Sequence, residues 1–417
     1  MTTGPWLGCV ADDYTGGTDV AAALRRSGIS TALVFGVPDP EVPVPDCDAV
    51  VVALKTRTAP VAEAVQETLD SVRWMRRGGI DRFYVKYCST FDSTPTGNIG
   101  PVVDAVLDEV GDGETVLCPA SPEHGRTVFQ GHLFVHDTLL SESSMASHPL
   151  TPMTDSDLRR VLAPQTTHPV GHLSHEYLAG GSVPAEVRLF HLRGQGVRHI
   201  VADAVDDADL RTLAAATSSW RVTTGGAGLA RAMAELRAAG TTPTPPVSLP
   251  SGPAVIVAGS CSTATLDQVA RAREMFPSYR VSPATGDTLE SLWEEVRAWL
   301  DSAPTDDAVM VYASAPADER ARTQHVFGYK TGEVLEEVLA RAAHHAVARG
   351  IRRVVVAGGE TSGAVVQALG VRTVVVAQEA DRGVPWCLTN DDEPTALLLK
   401  SGNFGSTDLL TRAATQP

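Results

Sequence analysis

The chain has 417 residues, 43% of them hydrophobic, and a formal net charge of −16. That length allows two or three domains, each able to bury a core, at the usual ~100–200 residues per domain. The acidic balance argues against nucleic acid or an anionic membrane as partner, because both call for a basic footprint, and no stretch approaches the ~18 uninterrupted apolar residues of a membrane span.

The six cysteines are scattered with no C-x-x-C pair, which reads as reduced thiols of a cytoplasmic protein. No early apolar run follows a charged start, so no leader is expected.

Leu7 to Ala11 is a short apolar run, a buried strand. The turn Asp12, Asp13, Tyr14, Thr15, Gly16, Gly17, Thr18, Asp19 follows, then a helix from about Val20 to Ser27. Glycines let a backbone approach a ligand closely, and a helix N-terminus favours an oxyanion. Paired aspartates after a strand suit hydroxyl recognition or Mg²⁺. The plainer alternative is that Asp19 caps the helix and Asp12 the turn.

Thr31 to Phe35 and Ala49 to Leu54 read as further strands. Arg57, just beyond the second, is a candidate carboxylate grip, because guanidinium meets carboxylate in two-pronged fashion. A solvated surface arginine is the alternative. Val61 to Arg77 is helical, stopped by Gly78 and Gly79.

The stretch Tyr84 to Val102, YVKYCSTFDSTPTGNIGPV, starts as a strand and turns into a run of small hydroxyl and acidic residues. Pro95 and Gly97 bend it, and Asn98 stands where an N-cap would precede a helix from Ile99. Lys86 supplies a cation, Ser89 a hydroxyl and Asp92 a candidate base. In an open α/β sheet the crevice at the carboxyl ends of the strands is where ligands sit.

Thr115 to Pro119 is the next strand, leading to Glu123, His124 and Arg126. Met145 to Asp157 is Pro-punctuated and reads as a lid or an intersubunit arm, which makes a homodimer a candidate assembly. Asp155 opens a helix. Val187 to Leu189 and His199 to Asp203 read as strands, and Ala208 to Ala216 as a helix. Gly240 to Pro253 (GTTPTPPVSLPSGP) is the clearest linker, since prolines block both helix and ladder.

Beyond it the pattern restarts. Ala254 to Ala258, Ala308 to Tyr312, Arg353 to Ala357 and Leu397 to Lys400 are apolar strands of the parallel type. GSCS (Gly259–Ser262), GGETSG (Gly358–Gly363) and SGNFG (Ser401–Gly405) stand at three of their ends. Backbone N–H groups of such turns cradle phosphates, although glycine is also the ordinary residue of chain reversal. Neither GSCS nor GGETSG carries the lysine of a P-loop. Glu360 and Asp408 either hold Mg²⁺ or cap helices. The fold class expected is α/β, with two domains, each a mainly parallel sheet flanked by helices: residues 1–239, a linker at 240–253, and residues 254–417.

Seven segments together resemble the four-carbon acid-sugar kinases over nearly the whole length. They are ADDYTGGTD (Ala11–Asp19), Lys86–Val102, Cys118–Val135, His148–Leu158, GSCS, AGGETSGAVV (Ala357–Val366) and KSGNFG (Lys400–Gly405). The run Ser93–Thr94–Pro95–Thr96 resembles the form associated with a 3-oxo acid substrate. Gly17 and His124 depart from the usual alanine and asparagine, without removing charge.

The resemblance implies an N-terminal sugar-acid-binding domain and a C-terminal nucleotide-binding domain. It implies that Asp12, Asp13, Thr15, Arg57, Lys86, Ser89 and Asp92 hold the acid sugar, with Gly17 beside them. It further implies that Ser260, Ser262, Gly358, Gly359, Glu360, Thr361, Gly402 and Asn403 hold ATP, with Mg²⁺ bridging phosphates. The expected reaction is transfer of the γ-phosphoryl group to the C4 hydroxyl of a 3-oxo-tetronate, with Asp12, Asp13 and Arg57 in the catalytic roles. D-erythronate or L-threonate kinase action is the enzymic alternative, and a non-catalytic sugar-acid sensor the other.

Overall fold

β-Branched and aliphatic runs too short to hide both faces alone stack here into parallel sheets covered by helices. A computed structural model describes residues 4–147, 151–239, 245, 247–304 and 306–415, and the chain divides into two units, Met1–Thr244 and Pro245–Pro417.

In the first unit β1 (Leu7–Ala11), β2 (Thr31–Phe35), β3 (Ala49–Ala53), β4 (Phe83–Lys86) and β5 (Thr115–Cys118) come first. β6 (Arg126–Phe129), β7 (His132–Val135) and β8 (Thr138–Leu139) form a small antiparallel sheet of their own. β9 (Val170–Leu173), β10 (His199–Ala202) and β11 (Val222–Gly225) rejoin the main sheet. Its order is β2-β3-β1-β4-β11-β5-β10-β9, parallel throughout. Every residue of β1, β2 and β3 is buried, and each such valine or leucine contributes about 1.5–3 kcal/mol over leaving it exposed. Because the chain runs from β1 out to β2 and back through β3 before crossing to β4, the strand order reverses at β1. Ligand crevices open at the carboxyl ends of strands at such a reversal.

Several local expectations change. The first helix spans Tyr14–Arg26, well before Val20, because Asp13 is its N-cap and accepts from Gly16 N–H at 2.9 Å. Asp19 and Asp12 are therefore not the caps. The helix Ile99–Val110 follows Asn98, but Asn98 makes no cap bond; its Nδ2 donates instead to the carbonyls of Thr56 at 2.6 Å and Ala59 at 2.9 Å. Asp157, not Asp155, caps the short helix Leu158–Leu162.

The strand expected at Val187–Leu189 is part of the helix Ser182–Gly194. Ala185, Leu189 and Leu192 make its buried face, while Val183 and Phe190 are 67% and 70% exposed on another side. Apolar residues on two faces blurred the helical period. Of the Met145–Asp157 stretch, residues 148–150 lie outside those described, and Ser144–Ser147 is a 3₁₀ turn. Of the expected linker, 240–244 and 246 also lie outside; 247–253 carry neither helix nor strand.

In the second unit β12 (Ala254–Ala258), β13 (Ser278–Arg280), β14 (Val309–Tyr312), β15 (Arg353–Ala357), β16 (Thr373–Asp381), β17 (Val384–Thr389) and β18 (Ala396–Lys400) pair in the order β13-β14-β12-β15-β18-β17-β16. The strands from β13 to β18 in that order are parallel, and β17 runs antiparallel to both β18 and β16. Ile256, Met310, Val355, Leu398 and Trp386 join in its core. β12, β15 and β18, whose ends carry the three glycine turns, are therefore immediate neighbours.

Candidate functional site

At the reversal in the first unit the strand ends bring together residues far apart in sequence. Asp12 N–H donates to Lys86 O at 3.1 Å, and Thr56 N–H donates to Asp12 O at 2.9 Å, so β1 is stitched to both neighbours just where its side chains turn polar. Arg57 Nε donates to Asp12 Oδ2 at 2.9 Å and Nη2 to Asp12 Oδ1 at 2.8 Å. The same Nη2 reaches Asp13 Oδ1 at 2.7 Å. Asp13 also accepts from Gly16 N–H at 2.9 Å and from the Thr15 hydroxyl at 2.6 Å.

The two-pronged edge of Arg57 expected to grip a substrate carboxylate is thus used within the protein, on two aspartates. Burial pulls the Arg57 pKa down, but Asp12 and Asp13 outweigh it and hold the group well above its ordinary value. Burial pushes Asp12 up against the pull of Arg57. Asp13 suffers the same burial, yet Arg57, Lys86, Thr15 and Gly16 together hold its carboxyl below the usual range.

Lys86 closes the other side, 3% exposed, donating to Tyr87 O at 3.0 Å and lying 3.8 Å from Asp19 Oδ2. Gly16 is required for this approach, because a Cβ there would stand 2.3 Å from Asp13 Oδ1 and 3.3 Å from Lys86 Nζ. Gly17 has a different reason: its Cβ would meet Ala53 Cβ at 2.5 Å, so it serves the packing of helix on β3. Asp92 is 7% exposed and accepts from Thr90 at 2.6 Å. Between them Phe91 is fully buried with φ of 55°, a left-handed conformation held by its edge-on contact with Tyr87 at 5.3 Å. Ser89 is half-buried in the same turn. A water-sized cavity of about 30 Å³ lies among Asp12, Arg57, Lys86, Asp92 and Asn98.

The second unit gathers its three turns with equal closeness. A Cβ on Gly402 would stand 2.5 Å from Ser260 Oγ, and one on Gly259 2.3 Å from Thr361 Oγ1. Ser260, Ser262, Thr361 and Gly402 therefore pack together, with Gly358 at φ of 132° where only glycine is at ease. Thr265 Oγ1 donates to Gly402 O at 2.9 Å. The helix Thr263–Arg273 is capped by Ser262, but the helix Gly359–Ala368 starts at Gly358 with no side-chain cap. Its first N–H groups are the ones a phosphate would take. Glu360 and Asn403 are exposed at the rim. Asp408 bonds Ser406 and is paired with Arg412 at 3.1 Å, a structural use.

Two features of this unit escaped the sequence reading. Lys400 ends β18 fully buried, with Nζ donating to Thr265 Oγ1 at 2.8 Å and Gly402 O at 3.0 Å. Burial lowers its pKa to about 8. Its place in KSGNFG was the available signal. A cavity of about 460 Å³ opens beside the first turn, walled by Gly259, Val281, Ala313, Leu335 and Leu339. That volume is in the range of small-molecule sites. Its walls come from separate loops and a helix, which no local motif marks.

Among the described residues no group of three or more His, Cys, Asp or Glu converges as a metal site. Among the described residues no helix is long and apolar enough to cross a membrane.

A family model for a sugar-binding N-terminal domain matches residues 7–233, and one for a nucleotide-binding C-terminal domain matches residues 255–410. The chain is 46% identical to a 3-oxo-tetronate kinase of Burkholderia multivorans, over 98% of this chain and 96% of that one. It is likewise 46% identical to one of Cupriavidus necator, over 99% and 97%. Among solved structures, a Haemophilus influenzae protein matches with a TM-score of 0.81 and 39% identity, over 97% of this chain and 98% of that one. A Salmonella typhimurium LT2 protein, solved as a candidate tRNA synthase, matches with a TM-score of 0.88 and 38% identity over 98% of both. The chain belongs to the four-carbon acid-sugar kinase family.

Proposed function

We propose that the chain transfers the γ-phosphoryl group of ATP to the C4 hydroxyl of 3-oxo-tetronate. The carrying observation is the meeting of three glycine turns at adjacent strand ends, with an uncapped helix start among them. Relatives of this chain at 46% identity over their near-full length bear the name 3-oxo-tetronate kinase, which supports the choice of acid.

The triphosphate takes the N–H groups at Gly359 to Thr361 and the rim at Gly402 and Asn403, with the Ser260 and Ser262 hydroxyls beside them. Its nucleoside occupies the 460 Å³ cavity next to Gly259. Mg²⁺, when bound, would neutralise phosphate charge, and Glu360 would be the carboxylate to hold it. The acid sugar lies at the ends of β1, β3 and β4. Lys86 meets its negative charge there, and Ser89 and Asp92 meet its hydroxyls. Arg57 serves by fixing Asp12 and Asp13. Phosphoryl transfer asks for positioning and charge neutralisation more than for covalent help.

The test is ADP release by purified protein with ATP and a panel of 3-oxo-tetronate, D-erythronate and L-threonate. Release with 3-oxo-tetronate well above the acid-free background supports the reading. Release only with one of the other two acids replaces the substrate, and none with any acid overturns it.

A further inference from the structure

Given the phosphoryl-transfer reading, on which this rests, a proton has to leave the acceptor hydroxyl. The two aspartates that begin the polar turn are already engaged by neighbouring donors. Asp12 spends both oxygens on Arg57. Asp13 spends its own on Arg57, Gly16 and Thr15. Carboxylates so occupied hold the strand end and the helix start in place.

Asp19 stands differently. It lies in the second turn of the helix Tyr14–Arg26, with its side chain 14% exposed. Its Oδ2 is 3.8 Å from Lys86 Nζ, close enough for strong attraction and too long for a hydrogen bond that would use the lone pair. Lys86 is wedged between Asp13 and Asp19 by the missing side chain of Gly16. We propose that Asp19 is the catalytic residue that accepts the proton of the substrate hydroxyl, with Lys86 beside it meeting the negative charge of the acid.

In that step the C4 oxygen forms a bond to the γ-phosphorus while the bond from phosphorus to the β,γ-bridging oxygen breaks. ADP leaves with that electron pair, and the hydroxyl proton passes to the Asp19 carboxylate.

The groups that bear on Asp19 are Lys86 at the end of β4, His124 and Glu123 in the loop after β5, and Asp13 at the start of its own helix. Burial raises the Asp19 pKa, with Glu123 and Asp13 adding to the rise and Lys86 and His124 opposing it. A base tuned upward works closer to neutral pH.

The experiment compares wild type with D19N, and with D19A in the presence of formate, at saturating ATP and 3-oxo-tetronate. The expected result is a kcat about 100-fold or more lower in D19N with each KM within about threefold, as for loss of a general base. Formate is expected to restore part of the D19A rate, which a purely structural role would not allow. Wild-type kcat is expected to fall as pH drops through the acidic range, and that limb to vanish in D19N. A D19N kcat within about tenfold of wild type overturns the assignment alone, as does a wild-type kcat that stays flat as pH is lowered. The flat-profile arm needs no variant to fold. A wild type that releases no ADP overturns the phosphoryl-transfer reading and the Asp19 assignment with it.

Discussion

A methyl group on Gly402 would come to rest 2.5 Å from Ser260 Oγ, although the two residues are 142 positions apart in the chain. The serine sits in the turn after β12 and the glycine in the turn after β18, and that after β15 lies between. Overpacking of this kind costs about 1–3 kcal/mol. G402A is therefore expected to raise the KM for ATP about tenfold or more, since 1.4 kcal/mol is a factor of ten, and to leave the KM for the acid nearly unchanged. Steady-state kinetics with each substrate varied in turn checks it; equal shifts in both would contradict the placement.

Lys400 gives a pH dependence with a definite sign. Burial lowers its pKa to about 8, so in the folded protein the amine loses its charge as pH rises through that value. The KM for ATP is expected to climb above pH 8, and K400M to remove the step while weakening ATP binding at pH 7. Between about pH 8 and the unfolded lysine value of ~10.4 the unfolded chain binds more protons, so this group makes folding more favourable as pH rises. Urea midpoints at pH 7 and pH 10 should shift toward wild type relative to K400M; no shift would remove Lys400 as a buried cation.

Arg57 balances two carboxylates that are 19% and 27% exposed. R57M leaves them facing each other, and breaking such a partly buried set costs about 3 kcal/mol or somewhat less. Without the guanidinium Asp12, which burial already raises, is pushed further above its unfolded value, so the variant's folded state binds more protons. Its deficit should therefore shrink as pH falls from 7 toward 5. In wild type the contribution of Asp13, whose pKa is lowered, is present at neutral pH and is lost as pH falls below the ordinary carboxylate range. Thermal midpoints followed from pH 8 down to about pH 2 read both effects.

Gly17 separates packing from binding. With Ala53 Cβ only 2.5 Å from where its own Cβ would be, G17A is expected to lower stability by about 1–3 kcal/mol. Because the contact is between helix and strand, the KM for the acid should change less than about threefold at a temperature where the variant is folded. A large KM effect without loss of stability would return Gly17 to the ligand.

Within the described residues, pattern reading recovered the parallel strands that are continuous apolar runs bounded by polar turns, and missed β9, β11 and β13, which are not. β12 and β15, AVIVA and RVVVA, are examples of such runs. It failed at Val187, where apolar residues lie on two faces of a helix, and at β17, whose VPWCLT lacks a clean alternation. Asn98 was read as a cap from its place before a helix, but its amide found better carbonyls at Thr56 and Ala59. Side-chain hydrogen bonds to distant backbone leave no periodic trace.

The motifs alone determined which residue types stand at which strand ends, and with them the α/β class and the family. Chemistry of that kind is local, since a strand, a glycine bend and a helix start are each coded within a dozen residues. Which of the aspartates is bound by Arg57, and which stands beside Lys86 without a hydrogen bond to it, was decided only when β1, β3 and β4 came into register. The same holds for the closing of three separate turns around Ser260 and Gly402. Those distances depend on long-range packing, and no window along the chain contains both partners.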